Sequence, residues 1–286
     1  MGDEFKSLLL NKFSIAAPAC ILIHSDITRG LSVEGDRSNR NAFIEKHCEH
    51  IADLFPNSRV YMPAFNYDFL KCGSFDVERD PSQVGVLSEY FRLHHALWRT
   101  HDPVFSFSGT GNIGFRDPVG HDAIIDPFGA NSFFDFLYRE DCFLFHYGSR
   151  FECSTVLHYA ERMSGVLMYR YDKVFKGNVT TKDLVAPVVY RYHVKPSDRG
   201  FQYDYTRMIQ GLTDANILTT LQDGRTRISY CSLRLLVEYL IQEMRKDPFA
   251  LLHPGTTSWL QPMVERLGRP LLITDFENAH GPAFEV

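Results

Sequence analysis

The pattern of apolar and polar positions predicts that the chain opens with a strand, a helix and a second strand. The run ACILIHSD (residues 19–26) is apolar until it ends in polar residues, which is typical of a buried strand leading into a loop. Residues 39–55 carry apolar side chains at helical spacing, and residues 58–65 form another apolar run. This order predicts two parallel strands joined by a right-handed crossover, with their carboxyl ends directed at a ligand.

Further elements are predicted downstream. Residues 84–94 have the pattern of a helix, with Ser82 as its N-cap. Residues 141–148 resemble a third buried strand, and the stretch CSTVLHYAERM (residues 153–163) follows it as a helix. Residues 233–246 carry the strongest helical pattern in the chain.

The character of the sequence changes after about residue 165. Tyrosine and valine alternate with polar residues in 166–175 and 185–194, which favours antiparallel strands. We therefore expect an α/β protein with a mixed, partly parallel sheet flanked by helices and a more antiparallel C-terminal region. Residues 1–286 are interpreted as one domain, and a second lobe after about residue 165 is the alternative.

Composition excludes several classes of function. The chain has 286 residues, of which 44% are hydrophobic and 23% charged, as in an ordinary globular protein. A net charge of -5 without a cluster of Lys and Arg argues against nucleic acid and membrane surfaces as partners. No signal peptide or membrane span is recognised, and the six cysteines form no C-x-x-C pair. These features favour a cytoplasmic protein without a metal site.

A histidine and a glutamate within residues 153–163 are candidate catalytic groups. His158 and Glu161 are three residues apart, so a helix places them side by side and the carboxylate can orient the imidazole. Such a pair suits a general base, although on most helices it is a solvated or core contact. Thr155 and the first N–H groups of the helix lie one turn earlier, where they can stabilise an oxyanion.

Five segments, in this order, resemble the aminoglycoside 3-N-acetyltransferase family, also called antibiotic N-acetyltransferases. They are HSDITRGL, YMPAFNYDF, DPSQVGVLSEYFR, RTHDPVFSFSGTG and STVLHYAERM, spanning about residues 20–165. The resemblance implies the family's mixed α/β fold, acetyl-CoA or another short-chain acyl-CoA as donor, and direct transfer to an amine in a ternary complex. It also implies that His158, Glu161 and Thr155 are catalytic.

The resemblance assigns further residues to the coenzyme. Polar groups at the end of the first strand and at the start of the helix at 84–94 are expected to meet its phosphates and pantetheine. The cofactor-binding candidates are His24, Ser25, Asp26, Arg29, Ser82, Val84, Gly85 and Ser106. For Ser82, simple helix capping is an equally good explanation.

One position departs from the aminoglycoside branch of the family. That branch usually has histidine before the proline, whereas this chain has Asp102, which can hold a cationic acceptor or a sugar hydroxyl, or cap a turn. Residues 166–179 also look like a stretch of relatives found with surface-polysaccharide genes, which are expected to acylate amino sugars. The substrate-binding candidates are Asp68, Arg99, Asp102, Tyr169, Arg170, Asp172 and Lys173. For Arg99 a structural role is the alternative.

The sequence thus favours N-acylation of an amino sugar, nucleotide-linked in the main interpretation, over the alternative of aminoglycoside 3-N-acetylation. In either case His158, oriented by Glu161, takes the proton as the nitrogen attacks the thioester. An acyl-enzyme on Cys153 is less favoured, because a cysteine among apolar positions is usually a small buried hydrophobe. A binding protein without catalysis is a third hypothesis, and a homodimer is one option for the assembly.

Overall fold

The computed structural model describes residues 2–15, 17–33, 38–117, 123–196 and 200–276. The described helices are α1 (Gly2–Ile15), α2 (Arg40–Leu54), α3 (Phe69–Cys72), α4 (Val86–His94), α5 (Phe133–Arg139), α6 (Val156–Ser164), α7 (Tyr205–Asp214), α8 (Leu233–Lys246) and α9 (Pro254–Leu267). The described strands are β1 (Cys20–Ser25), β2 (Arg59–Pro63), β3 (Ser74–Asp76), β4 (Trp98–Arg99), β5 (Phe107–Gly109), β6 (Ala123–Ile125), β7 (Phe143–Tyr147), β8 (Tyr171–Thr180), β9 (Val185–Val194), β10 (Thr219–Asp223) and β11 (Thr226–Ser232). Short 3-10 helices cover Phe151–Cys153 and Ile273–Asp275.

A mixed sheet forms the centre of the molecule. Within the described ranges, seven strands pair in the order β10-β11-β7-β1-β2-β5-β4. The central strand β1 runs parallel to both β2 and β7, and the outer pairs are antiparallel. The predicted parallel pair joined by a helix is therefore confirmed in β1, α2 and β2.

A smaller sheet contains most of the predicted antiparallel region. Its order in the part of the chain that the structure describes is β3-β8-β9-β6, built around the long antiparallel hairpin of β8 and β9. β8 begins at Tyr171, five residues later than the alternation suggested, because a loop follows Gly165 at the end of α6. β10 and β11 return to the main sheet, so residues after 165 contribute to both sheets.

The main sheet is covered on both faces, which explains the continuous apolar run of β1. Successive side chains of a strand point to opposite faces. Ile21 and Ile23 pack in a core with α1, α2 and α4, whereas Cys20 and Leu22 pack in the core that contains α5, α6 and α8. α6, which carries His158, and the pair α2 and α4 thus lie on opposite faces.

The start of α4 differs from the prediction. Gly85, not Ser82, is its N-cap, with a φ of 117° that favours glycine over residues with a side chain. The backbone N–H of Ser82 donates instead to Glu89 at 2.7 Å. The predicted cap was wrong because the turn before α4 depends on this glycine conformation. Across the described ranges, no helix is long and apolar enough to cross a membrane.

Candidate active site

The helix α6 carries the pair His158 and Glu161 next to its buried apolar side chains. Val156, Tyr159 and Ala160 are buried in the core below it. The side chain of His158 is 25% exposed, whereas that of Glu161 is 0% exposed. His158 Nδ1 lies 3.0 Å from Glu161 Oε2, as the spacing of three residues predicted.

The Glu161 carboxylate is held by groups from three segments of the chain. The hydroxyl of Tyr169 donates to Oε1 at 2.9 Å, and that of Tyr203 lies 3.0 Å from both oxygens. Arg170 Nη2 lies 2.6 Å from Oε2 in a buried ion pair. Burial alone would raise the pKa of Glu161, but Arg170 and the hydrogen bond with His158 outweigh it and lower the pKa to about 2. Glu161 is therefore ionised at neutral pH.

The hydrogen bonds around Glu161 favour one position for the proton of the His158 ring. Tyr203 donates to Glu161, so its oxygen accepts from Arg170 Nη2. Nη2 also lies 2.6 Å from Glu161 Oε2 and 2.8 Å from His158 Nδ1, so these two atoms compete for its second hydrogen. We assign the ring proton to Nδ1, because Glu161 Oε2 lies 3.0 Å away and an ionised carboxylate is a strong acceptor. Nε2 is then left with a lone pair that can accept a proton.

The charge of the ring follows from its surroundings. Burial lowers the pKa of His158 below its ordinary value, and the neighbouring Arg170 lowers it further. The contact with Glu161 opposes this shift only in part. The imidazole is neutral near pH 7, which is the state that a general base requires.

Two residues that were predicted to bind the acceptor contact the catalytic candidate Glu161 instead. Tyr169 and Arg170 are 0% and 4% exposed and contact Glu161, so the geometry gives them a role in positioning. Tyr203 was missed altogether. It lies 42 residues after Glu161 in the loop before α7, and no local pattern announces a contact of that range.

A cleft of about 390 Å³ opens at the N-terminus of α6, where β1 and β2 end. Four predicted residues line it: His24, Ser25, Val84 and Thr155. They come from three segments of the sequence, and the structure brings them together as expected. Burial lowers the pKa of His24 to about 4, so this ring presents a neutral surface to the cleft.

The remaining cofactor candidates near β1 and α4 lie beside this cleft. A Cβ added to Gly85 would come 3.9 Å from the carbonyl oxygen of Ser25, so α4 begins close to the end of β1. Ser82 and Gly85 line a neighbouring groove of about 520 Å³ together with Arg40.

The loop after β1 holds the last two candidates of this group. Asp26 accepts hydrogen bonds from the backbone and hydroxyl of Thr28 and so closes its own turn. Arg29 follows on the surface.

Arg99 and Ser106 are used inside the protein. The Arg99 guanidinium donates to Ser106 Oγ at 3.0 Å and to the backbone carbonyls of Ala64, Val77 and Asp80. Ser106 is fully buried and donates to the carbonyl of Ala64 at 2.7 Å. These contacts favour the structural alternative for Arg99 over substrate binding, and they leave Ser106 without access to a coenzyme.

An acidic cleft of about 250 Å³ lies beside α6. Asp102, Asp117 and Asp126 line it. Asp126 pairs with Arg162 of α6 at 2.7 Å. Burial raises the pKa of Asp102 to about 6 and also raises that of Asp117, so a bound cation would favour their charged forms.

The position of Asp102 is compatible with both roles suggested by the sequence, which are capping a turn and binding the acceptor. Its carboxylate accepts from the backbone N–H groups of Val104 and Phe105 at 2.9 and 2.7 Å, which caps a turn. It also faces the acidic cleft. Next to this cleft, the ring of Phe128 lies 5.5 Å from that of His158.

The other acceptor candidates are more dispersed. Asp68 is exposed and accepts from Gln83 Nε2 at 2.8 Å. Asp172 pairs with Arg162 at 3.1 Å. It lines a groove of about 520 Å³ together with Arg170 and residues 270–274. Lys173 is the next residue on β8, so strand alternation directs it to the opposite face of the hairpin.

Cys153 differs from its predicted environment. It was expected to be a buried hydrophobe, but its side chain is exposed and lines the same cleft as Thr155. Partial burial raises the pKa of the thiol, so little thiolate exists at neutral pH. His146, by contrast, is fully buried between Ser149 and Ser154 at 2.9 Å each, so its role in the structure is to join these two hydroxyls.

Comparisons with known proteins agree on one family. A family model described as aminoglycoside 3-N-acetyltransferase matches residues 43–245, which includes α6 and four of the five motifs but begins after HSDITRGL. No curated protein matches the sequence.

Three solved structures share the fold. Apo aminoglycoside acetyltransferase AAC(3)-IVa has 18% identity and a TM-score of 0.65, with 92% of this chain and 96% of that chain covered. AAC-IIIb in a binary complex with CoASH has 16% identity and a TM-score of 0.65, with 84% and 96% covered. A histidine-to-alanine mutant of AAC(3)-IVa with bound gentamicin has 19% identity and a TM-score of 0.67, with 88% and 93% covered. The predicted fold class is thereby confirmed.

Proposed function

The chain belongs to the aminoglycoside 3-N-acetyltransferase family, and we propose that it transfers the acetyl group of acetyl-CoA to an amine of an aminoglycoside. The observation that carries this proposal is the neutral ring of His158, whose Nδ1 lies 3.0 Å from ionised Glu161 and whose Nε2 is the proposed proton acceptor. An amine attacks a thioester only as the free base, so a positioned proton acceptor meets the main chemical requirement of the reaction.

The cleft at the N-terminus of α6 suits the coenzyme that carries the acetyl group. Ser25 and Val84 line its walls, and Thr155 stands at the first turn of α6. The neighbouring groove combines Arg40 with the N-terminus of α4, a setting that attracts phosphate. CoASH is bound in one solved relative with the same fold.

The acidic cleft favours a polycationic acceptor. Asp102 and Asp117, whose charged forms a bound cation would favour, would attract the ammonium groups of an aminoglycoside and repel the diphosphate of a nucleotide-linked sugar. The stretch that suggested an amino-sugar acceptor also has another explanation, because its Tyr169 and Arg170 hold Glu161. The aminoglycoside alternative therefore replaces the amino-sugar interpretation as our proposal.

The residues of this chain supply the proton transfers. His158 Nε2 takes a proton from the amine as its nitrogen forms a bond to the acetyl carbon, and the carbon–sulfur bond breaks. Glu161 stabilises the imidazolium that results, because the carboxylate is already ionised and fixed. The imidazolium then returns the proton to the departing thiolate, which restores the neutral ring.

A substrate panel tests the proposal directly. Purified protein and acetyl-CoA are incubated with aminoglycosides and, separately, with nucleotide-linked amino sugars, and thiol release is measured. We expect turnover with aminoglycosides and a higher KM in Asp117→Asn, with Asp183→Asn in an exposed turn as the matched control. Turnover of nucleotide-linked amino sugars alone would overturn the proposed acceptor, and no turnover with either class would overturn the proposed reaction.

A further inference from the structure

Three side chains of the kinds that bind transition metals meet on the face of the main sheet opposite to α6. Glu45 and Cys48 lie three residues apart on α2 and share one side of that helix. His95, which ends α4, brings Nε2 to 2.9 Å from Glu45 Oε2. One ligand atom of each residue lies within 4.8 Å of the other two. We propose that Glu45, Cys48 and His95 form a binding site for Zn²⁺ or a similar first-row divalent ion, joining α2 to α4.

The donor set selects the class of metal. Thiolate and imidazole are ligands of zinc and its neighbours, whereas calcium and magnesium prefer oxygen alone. Tetrahedral zinc with one sulfur, one nitrogen and one oxygen ligand separates these atoms by roughly 3.3 to 3.8 Å. The observed atoms are all within 4.8 Å, so small side-chain adjustments suffice. Water would complete the coordination.

The surroundings orient the ligands and leave an entry path. The His95 ring stacks on Phe91 with a centroid distance of 6.2 Å and an interplanar angle of 16°. The Tyr90 phenol lies beside the Glu45 carboxylate. Glu45 and His95 side chains are 35% and 33% exposed, whereas Cys48 is buried beneath them. An ion arriving from solvent therefore meets the oxygen and nitrogen ligands first.

Binding requires one deprotonation. Burial, with Glu45 and Glu49 nearby, raises the pKa of the Cys48 thiol to about 12, so the free protein holds it as S–H. Formation of the sulfur–metal bond releases this proton to solvent, and His95 coordinates through the Nε2 lone pair with its ring hydrogen on Nδ1. No local pattern in the sequence indicates this site, because Glu45 and His95 are 50 residues apart and match no familiar ligand spacing.

Cobalt provides a spectroscopic test of sulfur ligation. The full chain is stripped of metal with a chelator and titrated with Co²⁺ while the near-ultraviolet thiolate-to-cobalt band is recorded. We expect the band to saturate at one ion per chain, to vanish in Cys48→Ser, and to persist in Cys72→Ser, which changes an exposed thiol. A wild-type protein without the band, or a Cys48→Ser variant that keeps it, would overturn the site.

Affinity measurements test the other two ligands and do not depend on the acetyltransferase reaction. Zn²⁺ affinity is measured by competition with a chromophoric chelator for His95→Gln and Glu45→Gln. We expect both variants to bind Zn²⁺ at least about 100-fold more weakly than wild type. Loss of a group that only supports a metal ligand costs at most about this factor, so a larger loss indicates a direct ligand. Asp53→Asn, on the same helix but paired with Lys6 at the surface, should bind like wild type. Unchanged affinity in His95→Gln and Glu45→Gln would contradict the proposal.

Discussion

The Tyr203 hydroxyl lies 3.0 Å from both carboxylate oxygens of Glu161, although 42 residues separate the two along the chain. The same oxygen accepts a hydrogen bond from Arg170 Nη2, which also pairs with Glu161. Tyr203 therefore holds both the carboxylate that contacts His158 and the arginine that keeps this carboxylate ionised.

Replacement of Tyr203 by Phe tests this positioning role. A hydrogen bond to a charged group contributes about 1.5 kcal/mol or more, so kcat should fall by about tenfold or more. The KM for acetyl-CoA should change little, because Tyr203 is buried behind Glu161. Steady-state kinetics separate the two parameters. A variant in which KM alone changes would argue that Tyr203 contacts a substrate instead.

Removal of the proposed base has a larger expected effect. His158→Ala should lower kcat by about 100- to 10,000-fold and leave the affinity for acetyl-CoA unchanged. Isothermal titration with acetyl-CoA and thiol-release kinetics measure the two quantities. His253→Asn is a suitable control, because it replaces a distant histidine that caps α9 with another capping residue. Full activity in His158→Ala would remove the assignment.

The exposed thiol at the cleft permits a clear test of the covalent alternative. Because the pKa of Cys153 is raised, we expect Cys153→Ser to retain activity close to wild type and both proteins to show sequential kinetics. Mass spectrometry of the wild-type protein with acetyl-CoA alone should find no acetylated cysteine. Ping-pong kinetics together with an inactive Cys153→Ser would instead establish the acyl-enzyme.

The elements that the sequence predicted well are those whose pattern is set locally. β1 and α8 were located to within a residue or so because each buries a full apolar run or stripe. α1 was missed as a helix, since half of its apolar residues form one short run of leucines, and the three-residue strands β3, β5 and β6 are too short to show a period.

The site divides along the same line. His158 and Glu161 were predictable because three residues on a helix fix their contact. The outcome for Arg99 depended on which carbonyls the fold places around its guanidinium, and the contact of Tyr203 depended on a loop that returns from another segment. Both sets of contacts join residues that are far apart in the sequence, so no local sequence pattern predicts them.

The pH dependence of catalysis should follow the lowered pKa of His158. Activity requires the neutral ring, so kcat should stay high as the pH falls to about 6.5 and decline only below that value. Arg170→Gln removes the neighbouring cation that helps to lower this pKa, so the decline should move to higher pH. Rate profiles with one acceptor for both proteins measure the shift. A decline that moves to lower pH would contradict the assigned electrostatics.

The buried ion pair of Glu161 and Arg170 should dominate the response of stability to single substitutions here. Arg170→Met leaves the buried charge of Glu161 uncompensated, and Glu161→Gln leaves that of Arg170 uncompensated. Each single substitution should cost about 3 to 5 kcal/mol in the free energy of unfolding. The double variant should lose less than the sum of the two. Urea unfolding at pH 7 gives the three values, with Glu243→Gln in the exposed pair with Lys246 as a control that costs little.

The same pair gives stability a defined acid dependence. Glu161 has a pKa of about 2 in the folded protein against an ordinary value of 4.5, so its contribution is complete above pH 4.5 and is lost as the pH falls toward 2. The difference in unfolding free energy between wild type and Glu161→Gln should therefore shrink as the pH falls from 4.5 toward 2. A difference that grows over this range would mean that the folded protein holds Glu161 protonated, and His158 would then lack the ionised partner that orients it.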